Sequence, residues 1–353
     1  MTDNDTPKRA APTTGATIYD IAKLAGVNPS TVSRALTTPG RISARTEAKI
    51  KAAAAELNYR VNPFARALPT GRTKLIAVTI ADITNPVFFD VVRGAEQVAA
   101  ANGYTLVLAE SQESSARESA TLERILPMVD GVVMITTRIS DEEIQAINDS
   151  KPVVLVNRHV TDVVDVVPDI DPGIRQAVDH LASLGHKHIA FLSGPSNSWM
   201  STARWKSLMA AALAAGLTVV EIGPNAPTLV TGRESLDRIR AAGVTAVVTY
   251  NDLMAIGLLR QAQEAGISVP QQLSIIGFDN SFGSDFTTPQ LTTIGQPLTE
   301  LGAQALSQLI AVLDGNDGGA GSAGANAEDV ETTATEVLGT QLIVRGSTGA
   351  AAL

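Results

Sequence analysis

Between Lys74 and Asp279, unbroken runs of Val, Ile and Leu alternate with stretches of helical period, and this alternation governs what most of the chain can become. LIAVTI (75–80), YTLVLAE (104–110), GVVMIT (131–136) and PVVLVN (152–157) read as strands, with helices expected at 86–101, 118–126 and 141–149. A strand that is apolar at nearly every position is buried on both faces. That is the condition of a parallel sheet covered by helices. The alternation then restarts: helix 172–184, HIAFLSG (188–194), helix 202–215, TVVEIG, AVVTY (246–250), helix 252–265 and LSIIGFD (273–279). Two such runs predict two similar α/β subdomains with a cleft between them. Open sheets of this class bind ligands beyond the carboxyl ends of their strands.

The first part of the chain has a different period. In TIYDIAKLAGVNPSTVSRAL (17–36), Ile18, Ile21, Ala22 and Leu24 are expected to bury one face of a short helix. Gly26 suits a left-handed helix stop, Asn28 caps the next helix, and Pro29 stands at its first position. Val32, Ala35 and Leu36 then face inward, leaving Ser30, Thr31 and Arg34 pointing away from the core. Helix 43–57, capped by Ser43, completes a small helical unit with Ile50, Ala53, Ala54 and Leu57 on its inner face. Short polar groups near a helix N-terminus, with an arginine one turn later, suit entry into a DNA major groove. Ser30, Thr31 and Arg34 are the candidate base readers, Arg34 through a bidentate contact to guanine. The alternatives are an ordinary αα-hairpin and, for Ser30 and Thr31, simple helix capping.

Charge is divided to match. Residues 1–73 carry eleven Lys/Arg against five Asp/Glu, while the whole chain has a net charge of −9. A basic segment can hold phosphates while an acidic body discourages non-specific wrapping. No run of about 18 apolar residues suggests a membrane span. The polar stretch 1–16 reads as a disordered tail, not a secretory signal. Cysteine is absent, which removes disulfides, thiolate metal sites and cysteine nucleophiles. The four histidines (His159, His180, His186 and His188) stand near no candidate serine with an acid partner, and no phosphate loop or metal-spaced cluster occurs. No catalytic residue, metal or cofactor is therefore expected, and the protein is read as cytoplasmic and nucleoid-associated.

The segment T-I-Y-D-I-A-K-L-A-G-V…S-T-V-S-R-A-L, followed by Arg41-Ile42-Ser43, Glu56-Leu57-Asn58-Tyr59, Asn62-Pro63 and Ala65-Arg66-Ala67-Leu68, resembles the headpiece of the LacI/GalR family of bacterial transcription regulators. The resemblance implies an N-terminal helix-turn-helix headpiece (17–62), a hinge (63–73) and a core (74–353) similar to periplasmic sugar-binding proteins. Three crossings between subdomains are implied, near 168–171, 294–297 and 334–338. Subdomain 1 then holds 74–168 and 298–333, and subdomain 2 holds 171–294 and 338–353, with QLIVRGST (341–348) as the final strand. The Gly/Ala-rich stretch 316–330 is expected to be unordered. In the headpiece, Thr17, Tyr19, Ser33, Asn58 and Tyr59 are assigned to phosphates. Leu68 is implied as a minor-groove wedge, although Pro69 after it departs from the family's usual residue. The alternative for Leu68 is a linker residue packed on its dimer mate.

In the core, Arg204, Asn251 and Asp279 match the family's effector contacts. Arginine donates and aspartate accepts, so together they suit vicinal hydroxyls, and asparagine does both. The structural alternatives are an ion pair for Arg204 and Asp279 and a helix cap for Asn251. One of Phe88 and Phe89 should face the cleft. Trp199, read as lying in a loop, is a second candidate ring platform, and Asn157-Arg158 are placed to reach the cleft from strand 152–157. The reading is a homodimeric repressor of a near-palindromic double-stranded operator, released by a small sugar-like effector such as a pentose or nucleoside. No heptad tail suggests a tetramer. A cytoplasmic solute-binding protein without regulatory role is the alternative, and an enzyme on the same scaffold a more distant one.

Overall fold

Helix α1 (Ile18–Ala25) starts at a capping box: the Thr17 hydroxyl accepts from Asp20 N, and Thr17 N donates to the Asp20 carboxylate at 2.8 Å. The computed structural model describes residues 16–37, 42–59, 71–317 and 338–352. Residues 1–15 of the expected tail, 63–70 of the hinge with Leu68, 318–330 and most of the third crossing lie outside the described residues, while 316–317, expected to be unordered, end a helix. Two compact units divide the chain, residues 1–73 and 74–353.

In the first unit, Gly26 takes the left-handed conformation (φ 65°) that ends α1, and α2 (Pro29–Thr37) begins at proline. Ser43 caps α3 (Ala44–Glu56). Ile21, Ala22, Val32, Ala35, Ile50 and Ala53 form the buried centre. Leu24 does not join it and stays 46% exposed. At 100° per residue the inward stripe is Ile18, Ile21, Ala22 and Ala25, so Leu24 falls off its edge.

The second unit contains two lobes. Lobe 1 is a five-stranded parallel sheet of β1 (Leu75–Ile80), β2 (Thr105–Glu110), β3 (Gly131–Ile135), β4 (Val153–Val156) and β5 (Val164–Val166), in the order β2-β1-β3-β4-β5. Its connecting helices are α4 (Val87–Ala101), α5 (Ser115–Ile125) and α6 (Asp141–Ser150). Lobe 2 holds β6 (His188–Leu192), β7 (Thr218–Ile222), β8 (Ala246–Thr249), β9 (Ser274–Asp279), β10 (Thr292–Gly295) and β11 (Gln341–Ile343) in the order β11-β10-β9-β8-β6-β7. Helices α7 (Asp171–Ser183), α8 (Trp199–Ala214), α9 (Leu229–Glu234), α10 (Leu236–Ala241) and α11 (Asp252–Glu264) surround it. After β10 the chain returns to lobe 1 as α12 (Leu298–Asp317), whose Leu301, Ala305, Leu306 and Leu309 share a core with β1, β3 and β4. Two crossing segments run side by side, with Asp169 N donating to Leu338 O and Thr340 N to Asp169 O.

Each lobe is closed by the same device. A side chain at Gly94 on α4 would lie 1.9 Å from Thr299 O, and one at Gly302 on α12 would lie 1.8 Å from Val91 O. In lobe 2, a side chain at Gly232 on α9 would lie 2.2 Å from Met254 O, and one at Gly257 on α11 would lie 2.1 Å from Leu229 O. Reciprocal glycines thus bring backbone against backbone, closer than any side chain would permit.

The structure revises several boundaries. The last strand is only Gln341–Ile343 and runs antiparallel to β10. Beyond it Gly346 N bonds to Gln290 O and Ser347 O accepts from Ile275 N, so those residues leave the ladder with β10. Trp199 opens α8 instead of lying in a loop, because the Ser198 hydroxyl caps that helix at Ser201 N, and its ring packs against the lobe 2 core.

Candidate functional site

On the first unit, Ser30 and Arg34 are exposed on α2, while Thr31 and Ser33 are half-buried. Tyr19 is 69% exposed on α1. The Thr17 hydroxyl is already engaged, donating to the Asp20 carboxylate at 2.7 Å, and this bond lowers the pKa of Asp20. Asn58 takes a positive φ (47°) just beyond α3, and Tyr59 packs against the helical core. An exposed α2 face bearing a hydroxyl and a guanidinium one turn apart can reach base edges.

The second unit has a cleft between its lobes with about 470 Å³ of space, mouth included. It lies at the carboxyl ends of the strands, where such sheets place their ligands. On the lobe 2 wall, Arg204 from α8 is 4% exposed, and its Nη2 donates to Asp279 Oδ1 at 3.1 Å. Its Nη1 donates to Tyr250 O, and its guanidinium stacks 3.6 Å from the centroid of the Phe278 ring. Gln296, on the crossing before α12, donates to Asp279 Oδ1 at 2.7 Å. Asp279 ends β9 with φ 108°, a strained value that turns its carboxylate from strand to cleft. Asn251 lines the cleft but is bonded at both ends of its amide. Its Oδ1 accepts from Met254 N as the cap of α11, and its Nδ2 donates to Pro227 O.

The lobe 1 wall carries a second buried cation. Arg138 Nε donates to Glu113 Oε2 at 2.8 Å, and Arg138 N donates to the buried Glu118 carboxylate. Burial opposes the charge of Arg138, but Tyr250, reaching across from lobe 2, and Glu113 outweigh it and raise its pKa. Phe88 is buried and lines the cleft, while Phe89, one residue on, is 48% exposed and does not. Asn157 also lines it; Arg158 instead bonds Thr137 O and Asp141. Sequence reasoning missed Glu113, Arg138, Tyr250 and Gln296. The available signal was position, since Arg138 and Tyr250 each follow closely on the carboxyl end of a read strand.

Four buried polar atoms along this cleft have no hydrogen-bond partner: Thr136 Oγ1, Asn157 Oδ1, Arg204 Nε and Gln296 Oε1. Leaving such a group unpaired costs about 1–3 kcal/mol. All four belong to residues that line this one cleft, which suits a ligand that carries several hydroxyls.

Two carboxyl groups lie beneath. Burial pushes Asp279 up to about 6, against the pull of Arg204 and Gln296. Burial, then the charge of Asp279, pushes Asp252 up to about 7, although Thr293 and Ser281 donate to it. A folded pKa above the unfolded value means that the native state holds its proton longer. The stabilising effect of the bound proton is therefore fully present below about pH 4 and lost as the pH rises towards 7. Asp252→Asn is expected to flatten this fall, measured as urea unfolding free energy between pH 4 and 7. An unchanged slope would assign the titration elsewhere.

Among the described residues no group of His, Asp and Glu could hold a metal ion, and no helix is long and apolar enough to cross a membrane.

Residues 17–62 match the family described as bacterial regulatory proteins, lacI family, and residues 178–348 match the periplasmic binding protein-like domain. The HTH-type transcriptional repressor CytR of Escherichia coli (strain K12) is 31% identical over 345 residues, covering 96% of this chain and 97% of that protein. The ribose operon repressor of the same strain is 33% identical over 305 residues, covering 84% of this chain and 92% of that one. A solved lac repressor dimer, bound to operator and the anti-inducer ONPF, superposes with a TM-score of 0.81 at 25% identity, covering 95% of this chain and 99% of that chain.

Proposed function

The chain belongs to the lacI family of bacterial regulatory proteins, and on that premise we propose that it is a homodimeric repressor of a near-palindromic operator, released by a small sugar-like effector held in the cleft. The observation that carries the effector half of this reading is the group of unpartnered buried atoms between the lobes. Arg204 and Asp279 form the polar grip, with Phe88 against the apolar face of the ligand. The DNA half rests on the exposed face of α2, with Ser30, Thr31 and Arg34 as base readers and Tyr19, Ser33, Asn58 and Tyr59 near phosphates. Thr17 acts there as a helix cap first. Asn251 serves as the cap of α11 and meets the effector only through what its amide leaves over. Leu68 is retained as the proposed minor-groove wedge. Exposed apolar side chains, among them Phe89 and Leu108 on lobe 1 and Val230, Phe282 and Phe286 on lobe 2, favour a second copy as the partner.

Selection from a random duplex library tests the reading directly. The expected product is a two-fold symmetric sequence, bound by two chains and released by a sugar or nucleoside. Arg34→Ala is expected to weaken binding by about 1–3 kcal/mol per half-site and to relax preference at one base pair. Uniform weakening across all sequences would make Arg34 a phosphate contact. Recovery of no sequence at all would remove the operator reading.

A further inference from the structure

The ligand reading above leaves the charge of the effector open, and the cleft carries an answer that rests on that reading. We propose that the effector is an uncharged molecule rich in hydrogen-bond donors, and that the cleft rejects the phosphate ester of the same compound.

Both cations of the cleft are already paired with carboxylates. Arg138 and Arg204 are the only basic side chains among the described residues lining the cleft. Arg138 is held by Glu113, and Arg204 by Asp279 and Tyr250 O. An entering phosphate would have to displace a carboxylate already seated at 2.8 Å or 3.1 Å, and then leave that carboxylate buried without its cation.

Helix N-termini are the second usual source of anion binding, and here each already has one N–H group taken by a side-chain oxygen. Asn251 Oδ1 takes Met254 N on α11, the Ser198 hydroxyl takes Ser201 N on α8, and Asn85 Oδ1 takes Val87 N on α4. The first turn of α11 also carries the buried carboxyl of Asp252.

Third, the unpartnered atoms ask for donors. Gln296 Nε2 is fixed on Asp279, which leaves Oε1 as a pure acceptor towards the cleft. Asn157 Oδ1 is a second acceptor, the Thr136 hydroxyl accepts or donates, and only Arg204 Nε asks for an acceptor. A sugar hydroxyl donates to such sites, whereas a dianionic phosphate offers only acceptors.

Finally, a second, wider cavity that shares Glu113 and Pro227 with the cleft, and which we take as its mouth, is lined by Asp82, Glu110 and Glu113, with no Lys, Arg or His among its described lining residues. A dianion approaching through it meets like charge before it meets the grip.

The test uses the full chain and calorimetric titration with pentoses, hexoses and nucleosides, each run beside its phosphate ester. At least one free compound is expected to bind, with its ester at least about 100-fold weaker. The double variant Asp82→Asn, Glu110→Gln should narrow that ratio, because it removes two of the three carboxylates at the mouth and leaves the grip intact. An ester that binds as tightly as its parent overturns the inference while the ligand reading stands. Binding by no compound in the panel overturns the ligand reading, and this inference with it. A ratio unchanged in the double variant overturns the role given to the mouth.

Discussion

Asp279→Ala is expected to destabilise the second unit by about 3–5 kcal/mol and to abolish its response to effector. The size follows from what is left behind. Arg204 is 4% exposed, and without Asp279 its charge keeps one backbone carbonyl and the faces of Phe278 and Tyr250. Gln296 also loses its acceptor. Asp279→Asn should cost less, because an amide oxygen can still accept from one of the two. The gap between wild type and Asp279→Asn should widen from pH 7 to pH 5, since the native carboxyl, pushed up to about 6 by burial, takes up its proton before the unfolded one does and gains stability that the amide cannot. Urea unfolding at both pH values reads all of this. An Asp279→Ala midpoint equal to wild type would mean that Arg204 finds another anion, and the grip would have to be redrawn.

Gly302→Val is the second large effect, about 3 kcal/mol or more of lost stability. Its side chain would start 1.8 Å from Val91 O, and that oxygen belongs to backbone, so it has no rotamer to escape into. The helices α4 and α12 must part, and with them the core they share with β1, β3 and β4. At roughly 2–4 °C per kcal/mol for domains of similar size, thermal unfolding should fall by about 6–12 °C. The control lies in the same helix: Gly315 has nothing within 4 Å, so Gly315→Ala should be neutral or stabilise by about 0.4–1 kcal/mol. Equal losses at both positions would point to the helix backbone and not to the crossing.

The α/β class was legible because parallel strands are apolar on both faces, which local sequence displays without help from distant residues. Short or polar elements were not. VDV at β5 and TTIG at β10 contain too few apolar positions to stand out, although both are seated by neighbouring strands. Helices α9 and α10 were missed for a similar reason, being six residues each with Gly232 inside the first. The cleft shows the same limit. Arg204 and Asp279 were nameable from the family resemblance, with their places near a helix start and at a strand end in support. Their neighbours Glu113, Arg138, Tyr250 and Gln296 come from four separate connections and share no local pattern. Phe88 and Phe89 differ by one residue, and the 100° between them decides which one faces the cleft.

The return of α12 to lobe 1, and of the last strand to lobe 2, sets the order in which a ribosome can complete this protein. The helical unit is finished early. Sheet β1–β5 emerges next, but α12, which covers it, follows only after β6–β10 have been made. At usual elongation rates the apolar face of lobe 1 waits on the order of ten seconds. Lobe 2 is completed last, since Ser347 bonds to both Ile275 and Thr292, and Gly349 O meets His186. The DNA-reading segment is therefore complete while the part that would control it is still open, and nascent chains of this protein are natural clients for chaperones that shield exposed apolar sheet.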